Sequence, residues 1–575
     1  MFTLKKILPV ILCLVMQQAV VSAQSSDKDL YQQTSEVNNI MVQYDADAGS
    51  LYRFYFVDSS PERTARFIAL IKGYQQRLQQ LNYQQLNVGA QVDYVLFKDR
   101  LENEMEQLAA VQQEYGQVKK WFPFADTIYT TEHHRRRGEK PDAPALAARL
   151  NTICGEVLAK KAALEKDSSL TIEQARRGMS VIKGLRAALH SVNEFYNGYD
   201  PLYSWWVPTP AKQLDSLLDT YSKVFAGKGK NSRGKEDGSG IIGYPIGKAG
   251  LEKDLRHAII PYTPEELVAI ANKEFAWCDA EMEKAAREMG FGADWKAAQE
   301  KVKNTYVPPA DQPTAMMKLY NESVSFLKQH DLLTIPPLAE ETWRMTMMSP
   351  ERQLVNPFFL GGEEFIISYP VNSMSHADKM MSMRGNNPHF SRATVHHELI
   401  AGHALQEFSM SRNKAYRHFD TPFWMEGWAL YWERLLWDMG FPQSPEDRIG
   451  MLFWRKHRCA RIIFSINYHT GKWTPQQCID FLVERVGHER ANAEGEVRRS
   501  FAGGYSPLYQ IAYMIGSLQF EALRKELVDS GKMSYKQYHD AVLRENMIPV
   551  EMLRYILLNK PVPADFKTNW RFYKL

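Results

Sequence analysis

The sequence predicts a mainly α protein with one small patch of strand. Long stretches repeat apolar residues every three or four positions, with polar residues between them. Only Leu338–Met348 and Glu364–Tyr369 read as extended, the second through the β-branched and aromatic run FIISY. After Ala23 no stretch approaches the roughly 18 uninterrupted apolar residues of a membrane span, so no transmembrane helix is expected.

The chain begins with a targeting segment. Lys5 and Lys6 precede the apolar run Ile7–Met16, and Val21-Ser22-Ala23 is a small-residue cleavage site. Residues 1–23 are therefore expected to be removed, with export to a bacterial periplasm. Cys13 lacks a small residue before it and does not suggest a lipoprotein. From 24 to 226 the chain reads as helix after helix: Arg63–Leu81, Val92–Val118, Ala145–Glu165 and Ile172–Tyr196. Pro61, Pro141 and Pro144 punctuate it, and Asn197-Gly198 ends the last helix. This region is expected to form one wall of a cleft and to be continuous with the catalytic region.

Gly227–Gly250 is rich in glycine and lysine and predicts a loop or boundary. It lacks the spacing of a phosphate-binding loop. The region 251–575 follows. Thr263-Pro264-Glu265-Glu266 offers a cap, a proline and an acidic first turn for a helix to about Met289. Thr314–His330 is amphipathic, and Pro445–Ile466, Pro475–Val486, His488–Arg499, Leu508–Val528 and Tyr535–Leu543 make the last third helical again.

Within it, VHHELIAGHALQEF, Val395–Phe408, sets three histidines and a glutamate in an apolar, helix-favouring run. His397-Glu398 resembles the start of the H-E-x-x-H zinc helix, but Ala401 stands where the second histidine belongs, and His403 arrives two residues late. On a straight helix an i,i+6 pair is roughly 240° apart and about 9 Å along the axis, too far to share one ion. The helix must widen or break, and Gly402 suits that. Otherwise the run is a core helix with incidental histidines. Glu426, in TPFWMEGWALYWERLLWDMG, supplies a third ligand if the second helix folds back on the first. Glu433 either orients a ligand histidine or pairs with Arg434 or Lys456.

His397–Gln406 (H-E-x-x-x-G-H-x-x-Q) and Glu426–Glu433 (E-G-W-A-L-Y-x-E) resemble the signatures of a bacterial family catalogued as domain-of-unknown-function family 885, with Ala401 in place of its usual proline. The resemblance covers most of the chain after Ala23, most specifically Phe365–Gly516. More distantly the chain resembles gluzincin metallopeptidases, the carboxypeptidase Taq and thimet oligopeptidase families. Dipeptidyl peptidase III, with H-E-x-x-G-H, is a precedent for one added residue. The resemblance implies a large helical metallopeptidase-like fold with a deep cleft and a small sheet beside the metal helix. It implies one zinc ion on His397, His403 and Glu426, with Glu398 as general base. Tyr513, in the matched Y-x-I-G, would steady the oxyanion; Tyr509, one turn earlier, and Arg499 are further candidates, the arginine for a substrate carboxylate. Gln406 and Asn372 complete the set of positions around the site, the latter at the end of FIISYPVN, Phe365–Asn372, where a peptide substrate would add as a strand. A plain sheet strand is the alternative there.

His396 is expected to pack, and His376, His389 and His418 to lie at the surface. Cys154, Cys278, Cys459 and Cys478 remain after cleavage. Cys459 and Cys478 either bridge or stay as buried thiols, and the absence of a Cys-x-x-Cys pair argues against a cysteine zinc site.

The chain has 575 residues, 24% charged, with a net charge of +3. That balance gives no basis for nucleic-acid binding, and the basic clusters His133–Arg137 and Arg498-Arg499 are short. The expectation is an exported zinc metallopeptidase acting on a peptide or small amide. The alternatives are an inactive peptide-binding protein on a degenerate peptidase scaffold, and a hydrolase of non-peptide amides. Composition sets no oligomeric state.

Overall fold

Apolar spacing becomes helix almost everywhere in the computed structural model, which describes residues 35, 37–231, 237–355, 358–368, 370–417 and 419–575. The proposed leader, Tyr369 and His418 lie outside the described residues. The chain divides into two units, one of Val37–Gln85 with Leu96–Glu236, the other of Leu86–Val95 with Asp237–Leu575 and the chain start. Leu86–Val95 groups with the second because Asp93 accepts from Arg417 Nε at 2.7 Å and Tyr416 Oη at 3.0 Å, and Gln91 accepts from Val562 N at 3.0 Å.

The regular elements of the first unit are all helices among the described residues. Pro61–Gln79, Ala143–Lys166 and Ile172–Tyr196 start on side-chain caps from Ser60, Asp142 and Thr171. Its core joins Ile153, Val157, Val181, Leu185, Leu214 and Leu218. Gly178 leaves room for the Phe225 ring, which a Cβ there would meet at 2.4 Å. The basic run pairs locally, with Arg135 and Arg136 on Glu132 and Arg136 near Glu62. The predicted loop 227–250 is shorter than expected. Helix Pro208–Asn231 extends into it, helix Gly247–His257 begins before it ends, and residues 232–236 are undescribed.

The second unit carries the candidate site. Helix α1 (Pro264–Glu288) opens on a capping box between Thr263 and Glu266, as its sequence predicts. Pro337–Thr342 is helical rather than extended, because Pro336-Pro337 starts a turn there. Strand β1 (Arg344–Met347) follows and pairs in parallel with β2 (Glu364–Ile367), Arg344 opposite Glu364. On the other side of β2, Leu360 exchanges both backbone hydrogen bonds with Ile366 at 2.9 and 3.0 Å. A peptide adding to FIISYPVN at that edge would have to displace Leu360.

The site helices are α2 (Pro388–Glu398), α3 (His403–Met410), α4 (Pro422–Asp438), α5 (Pro445–His469), α6 (Arg490–Ala502), α7 (Tyr509–Arg524) and α8 (Tyr535–Arg544). α5 is buried along nearly its whole length and packs against α1, α2 and α7. α4 and α7 cross where two glycines face each other: a Cβ on Gly427 would lie 2.5 Å from Gly516 Cα, and one on Gly516 would lie 2.1 Å from Phe423 O. All four described cysteines are buried free thiols, so Cys459 and Cys478 are not bridged. No helix among the described residues is long and apolar enough to cross a membrane.

The core also holds neutral histidines. His539 in α8 donates from Nδ1 to Leu332 O at 2.6 Å and accepts from Tyr431 Oη at 2.8 Å, and His488 bonds His457 at 2.8 Å. Burial lowers the pKa of both His488 and His539 to about 3, against 6.5 for a free histidine. The unfolded chain thus takes up protons below pH 6.5 that the folded chain refuses until pH 3. Stability is present above pH 6.5 and lost as pH falls through that window, on the order of 1 kcal/mol per histidine per pH unit. Melting at pH 7 and pH 5 checks this, and a flat profile would contradict it.

Candidate metal centre

The histidine spacing is resolved by a clean break in the helix, not by a bulge. α2 ends at Glu398, Leu399 takes φ −106°, ψ −120°, and α3 begins at His403 after Gly402 at φ −82°, ψ −133°. The link Leu399-Ile400-Ala401 is fully buried, and the Trp428 indole of α4 donates to Ala401 O at 2.8 Å. Gly402 sits where no side chain fits: a Cβ would lie 1.8 Å from His397 O and 2.6 Å from His396 O.

The break turns His403 back toward His397. Their rings lie 5.0 Å apart, nearly perpendicular at 86°. α4 brings Glu426 between them, with its Oε2 3.7 Å from His397 Nε2 and 3.3 Å from His403 Nε2. Two atoms bound at about 2.1 Å in tetrahedral directions are roughly 3.4 Å apart. One donor atom from each of the three residues lies within 4.8 Å of the others.

Both imidazoles are held from behind. His397 Nδ1 bonds Glu433 Oε1 at 2.7 Å, one helical stretch beyond Glu426 on α4. His403 Nδ1 bonds Gln406 Oε1 at 2.9 Å, and Gln406 donates to Met425 O at 3.1 Å. These contacts occupy the Nδ1 atoms and leave both Nε2 atoms for a metal. Glu426 Oε2 is buried without a hydrogen-bond partner. Three convergent donors, one of them an orphaned carboxylate oxygen, fit a divalent cation of the zinc class.

The three groups shift one another's pKa values. Burial disfavours a charged imidazole, but the nearby carboxylates of Glu426 and Glu433 outweigh it and lift its pKa to about 9. His403 is raised against burial by Glu426. Burial pushes the Glu426 carboxyl upward, yet the two histidines hold it well below the usual range.

Glu398 follows His397 and interacts with the charges of His397, His403 and Glu426 without joining the donor set. It is 9% exposed and lies against the Gly361-Gly362 turn before β2. Gly362 N donates to its carbonyl at 3.3 Å, and a Cβ on Gly361 would lie 2.5 Å from its Oε2. Burial raises its pKa.

α7 covers the group. Tyr509 donates to Glu426 Oε1. The Tyr513 ring lies 6.3 Å from His397 and almost parallel to it, at 13°. Arg458 and Arg461 of α5 stand over the Tyr513 ring at 4.8 and 4.5 Å. Glu433 therefore partners His397, while Arg434 pairs with Asp438 and Lys456 with Asp279.

Other expected positions fall elsewhere. Arg499 pairs with Glu496 on its own helix at 2.6 Å and stands over the Tyr505 ring. Asn372 is exposed, with its carbonyl accepting from Lys379. His376 is exposed at the start of a helix and His389 bonds Asp447 at 2.7 Å. His396 is fully buried against Phe441 with neither ring nitrogen bonded among the described residues. Sequence reading missed Gly361 and Arg458. The run RKHRCAR in α5, basic side chains on an apolar helix, was the available signal for the arginine.

A family model described as "Bacterial protein of unknown function (DUF885)" matches residues 47–557. Two solved structures share the fold. One is described as that of "a putative lipoprotein of unknown function from Shewanella oneidensis", with a TM-score of 0.65 and 17% identity, covering 91% of this chain and 100% of that one. The other is described as that of "the putative lipoprotein from Colwellia psychrerythraea", with a TM-score of 0.57 and 14% identity, covering 91% and 99%. No curated protein matches the chain.

Proposed function

The chain belongs to the bacterial DUF885 family, and from its site we propose that it is an exported zinc-dependent hydrolase of amide bonds, peptide bonds first among them. The observation that carries this is the convergence of His397, His403 and Glu426, with Glu398 beside them but outside the donor set. The gluzincin likeness of the motifs supports the same reading, and the leader sequence supports export.

His397 Nε2, His403 Nε2 and Glu426 would hold the ion. Bound there, zinc supplies Lewis acidity toward a carbonyl and lowers the pKa of water. The chain's own groups do the rest. Glu433 and Gln406 fix the two rings through Nδ1. Glu398 takes the proton of the attacking water on its carboxylate and passes it to the leaving nitrogen. The Tyr513 hydroxyl donates to the carbonyl oxygen as negative charge builds on it. Tyr509 steadies Glu426 from the other side.

Zinc analysis joined to a broad screen of peptide and non-peptide amides tests this. One zinc per chain and zinc-dependent release of amine are expected. One zinc with no amide hydrolysed, or no zinc bound at all, would favour the inactive peptide-binding alternative. Stripping the metal with a chelator should also lower the melting temperature, and restoring zinc to about 1,000 times its Kd should return roughly 4 kcal/mol.

A further inference from the structure

Helices α1 and α5 pack antiparallel, and their ion pairs set the register. Arg448 of α5 pairs with Glu288 of α1, and further along α5 Lys456 meets Asp279 at 2.8 Å. Cys459 stands just beyond Lys456, and Cys278 just before Asp279. The same antiparallel course therefore sets the two cysteines opposite each other. Both are fully buried in one core cluster, and the Cys459 thiol donates to Cys278 Sγ. Cys478 Sγ is turned to Phe464 O instead, at 3.8 Å, and Cys154 belongs to the other unit.

That placement suits a covalent bond. Packed helix axes run about 8–10 Å apart, and each Cα sits about 2.3 Å off its axis. Facing Cα atoms are then roughly 3.5–5.5 Å apart, which overlaps the span of about 4.4–6.8 Å that a disulfide takes. A bridge here would close the chain between 278 and 459, the stretch that holds His397, His403 and Glu426. Closing so long a loop takes much freedom from the unfolded chain and favours the folded one.

We propose that Cys278 and Cys459 are a disulfide site, oxidised as the exported chain folds, and that the bond staples α1 to α5. The proposal stands apart from the hydrolase reading and needs only export. The oxidant is a protein disulfide of the oxidising compartment, acting by thiol–disulfide exchange. One cysteine, as thiolate, attacks that disulfide, forms a mixed disulfide and releases one partner thiol. The second cysteine gives its proton to water and attacks the mixed bond, and the other partner sulfur leaves and takes a proton. Two electrons pass to the partner, which ends as a dithiol, and the chain keeps one S–S bond. The exchange belongs to folding, because two thiols with no exposure offer the closed core's surroundings nothing to attack. Burial also pushes the Cys459 thiol up, which keeps it from the reactive thiolate form once the core has closed.

The test uses the full chain from Gln24, unfolded and reduced, then refolded with oxidised and reduced glutathione, the oxidised form standing in for the protein partner. Free thiols are blocked with iodoacetamide in denaturant before any reduction, and the digest is read by mass spectrometry. A cross-linked pair of peptides holding Cys278 and Cys459 is expected, with Cys154 and Cys478 carbamidomethylated. The same bridge is expected, without refolding, in protein recovered from a bacterial periplasm. The bridged protein should melt about 5 °C or more above the same sample treated with dithiothreitol. The double variant Cys278→Ala with Cys459→Ala should melt at one temperature with and without the reductant, which also accounts for any effect of the reductant on bound metal. Carbamidomethylation of both Cys278 and Cys459 in most chains of either preparation would overturn the proposal. So would a bridge to Cys154 or Cys478 instead, or an equal response of the double variant to dithiothreitol.

Discussion

Glu398→Gln keeps one zinc per chain and lowers amide turnover by roughly 10²–10⁴-fold, the usual worth of a positioned acid–base group. The two halves of this result come from the end of α2. His397 and Glu398 are its last two residues, about 100° apart around the axis. His397 therefore faces Glu426 and Glu433 on α4, while Glu398 faces the Gly361-Gly362 turn. Glutamine keeps the volume and one acceptor oxygen but takes no proton at neutral pH. Metal analysis and single-turnover kinetics on the same preparation check both halves. Loss of zinc would make Glu398 a ligand, and turnover within a few-fold of wild type would remove it as the base.

What sequence revealed and what it hid divide along a physical line. The helices were legible where local chemistry decides them. Thr263 caps as its spacing predicts, and the apolar stripes of Ile172–Tyr196 and α1 bury the residues they mark. The three convergent donors were legible because a motif fixes two of them and a short helical return offers the third. The manner of convergence was not. It depends on the indole of Trp428 holding Ala401 from 27 positions away, which no local pattern encodes. Arg458 was hidden for a related reason. It stands over Tyr513, which only the packing of α5 on α7 brings to it. At the edge of β2, Leu360 folds back onto Ile366 through the Gly361-Gly362 turn, which favours the plain-strand alternative.

Gly402→Ala should abolish tight zinc binding in a chain that still folds. Glycine is required at 402 by space. The added methyl would lie 1.8 Å from His397 O and 2.4 Å from His397 C, the backbone of a ligand itself. Either that carbonyl moves and carries the His397 ring with it, or residues 402 and 403 move and carry the His403 ring. In both cases Nε2 leaves the position set by Glu426 and by the bonds at Nδ1, to Glu433 for His397 or to Gln406 for His403. Displacement of about 1 Å is enough to cost roughly 10²-fold where geometry must be exact, and the methyl demands more than that. Zinc affinity should therefore fall at least about 100-fold, with turnover falling alongside it. The far-ultraviolet circular dichroism should stay unchanged, because α2 keeps its Asn387 cap and both helices keep their buried faces. His403→Ala, which deletes a donor outright, is the reference for full loss. An alanine variant that binds zinc like wild type would mean that the two rings do not depend on this break, and the metal centre would need another set of ligands.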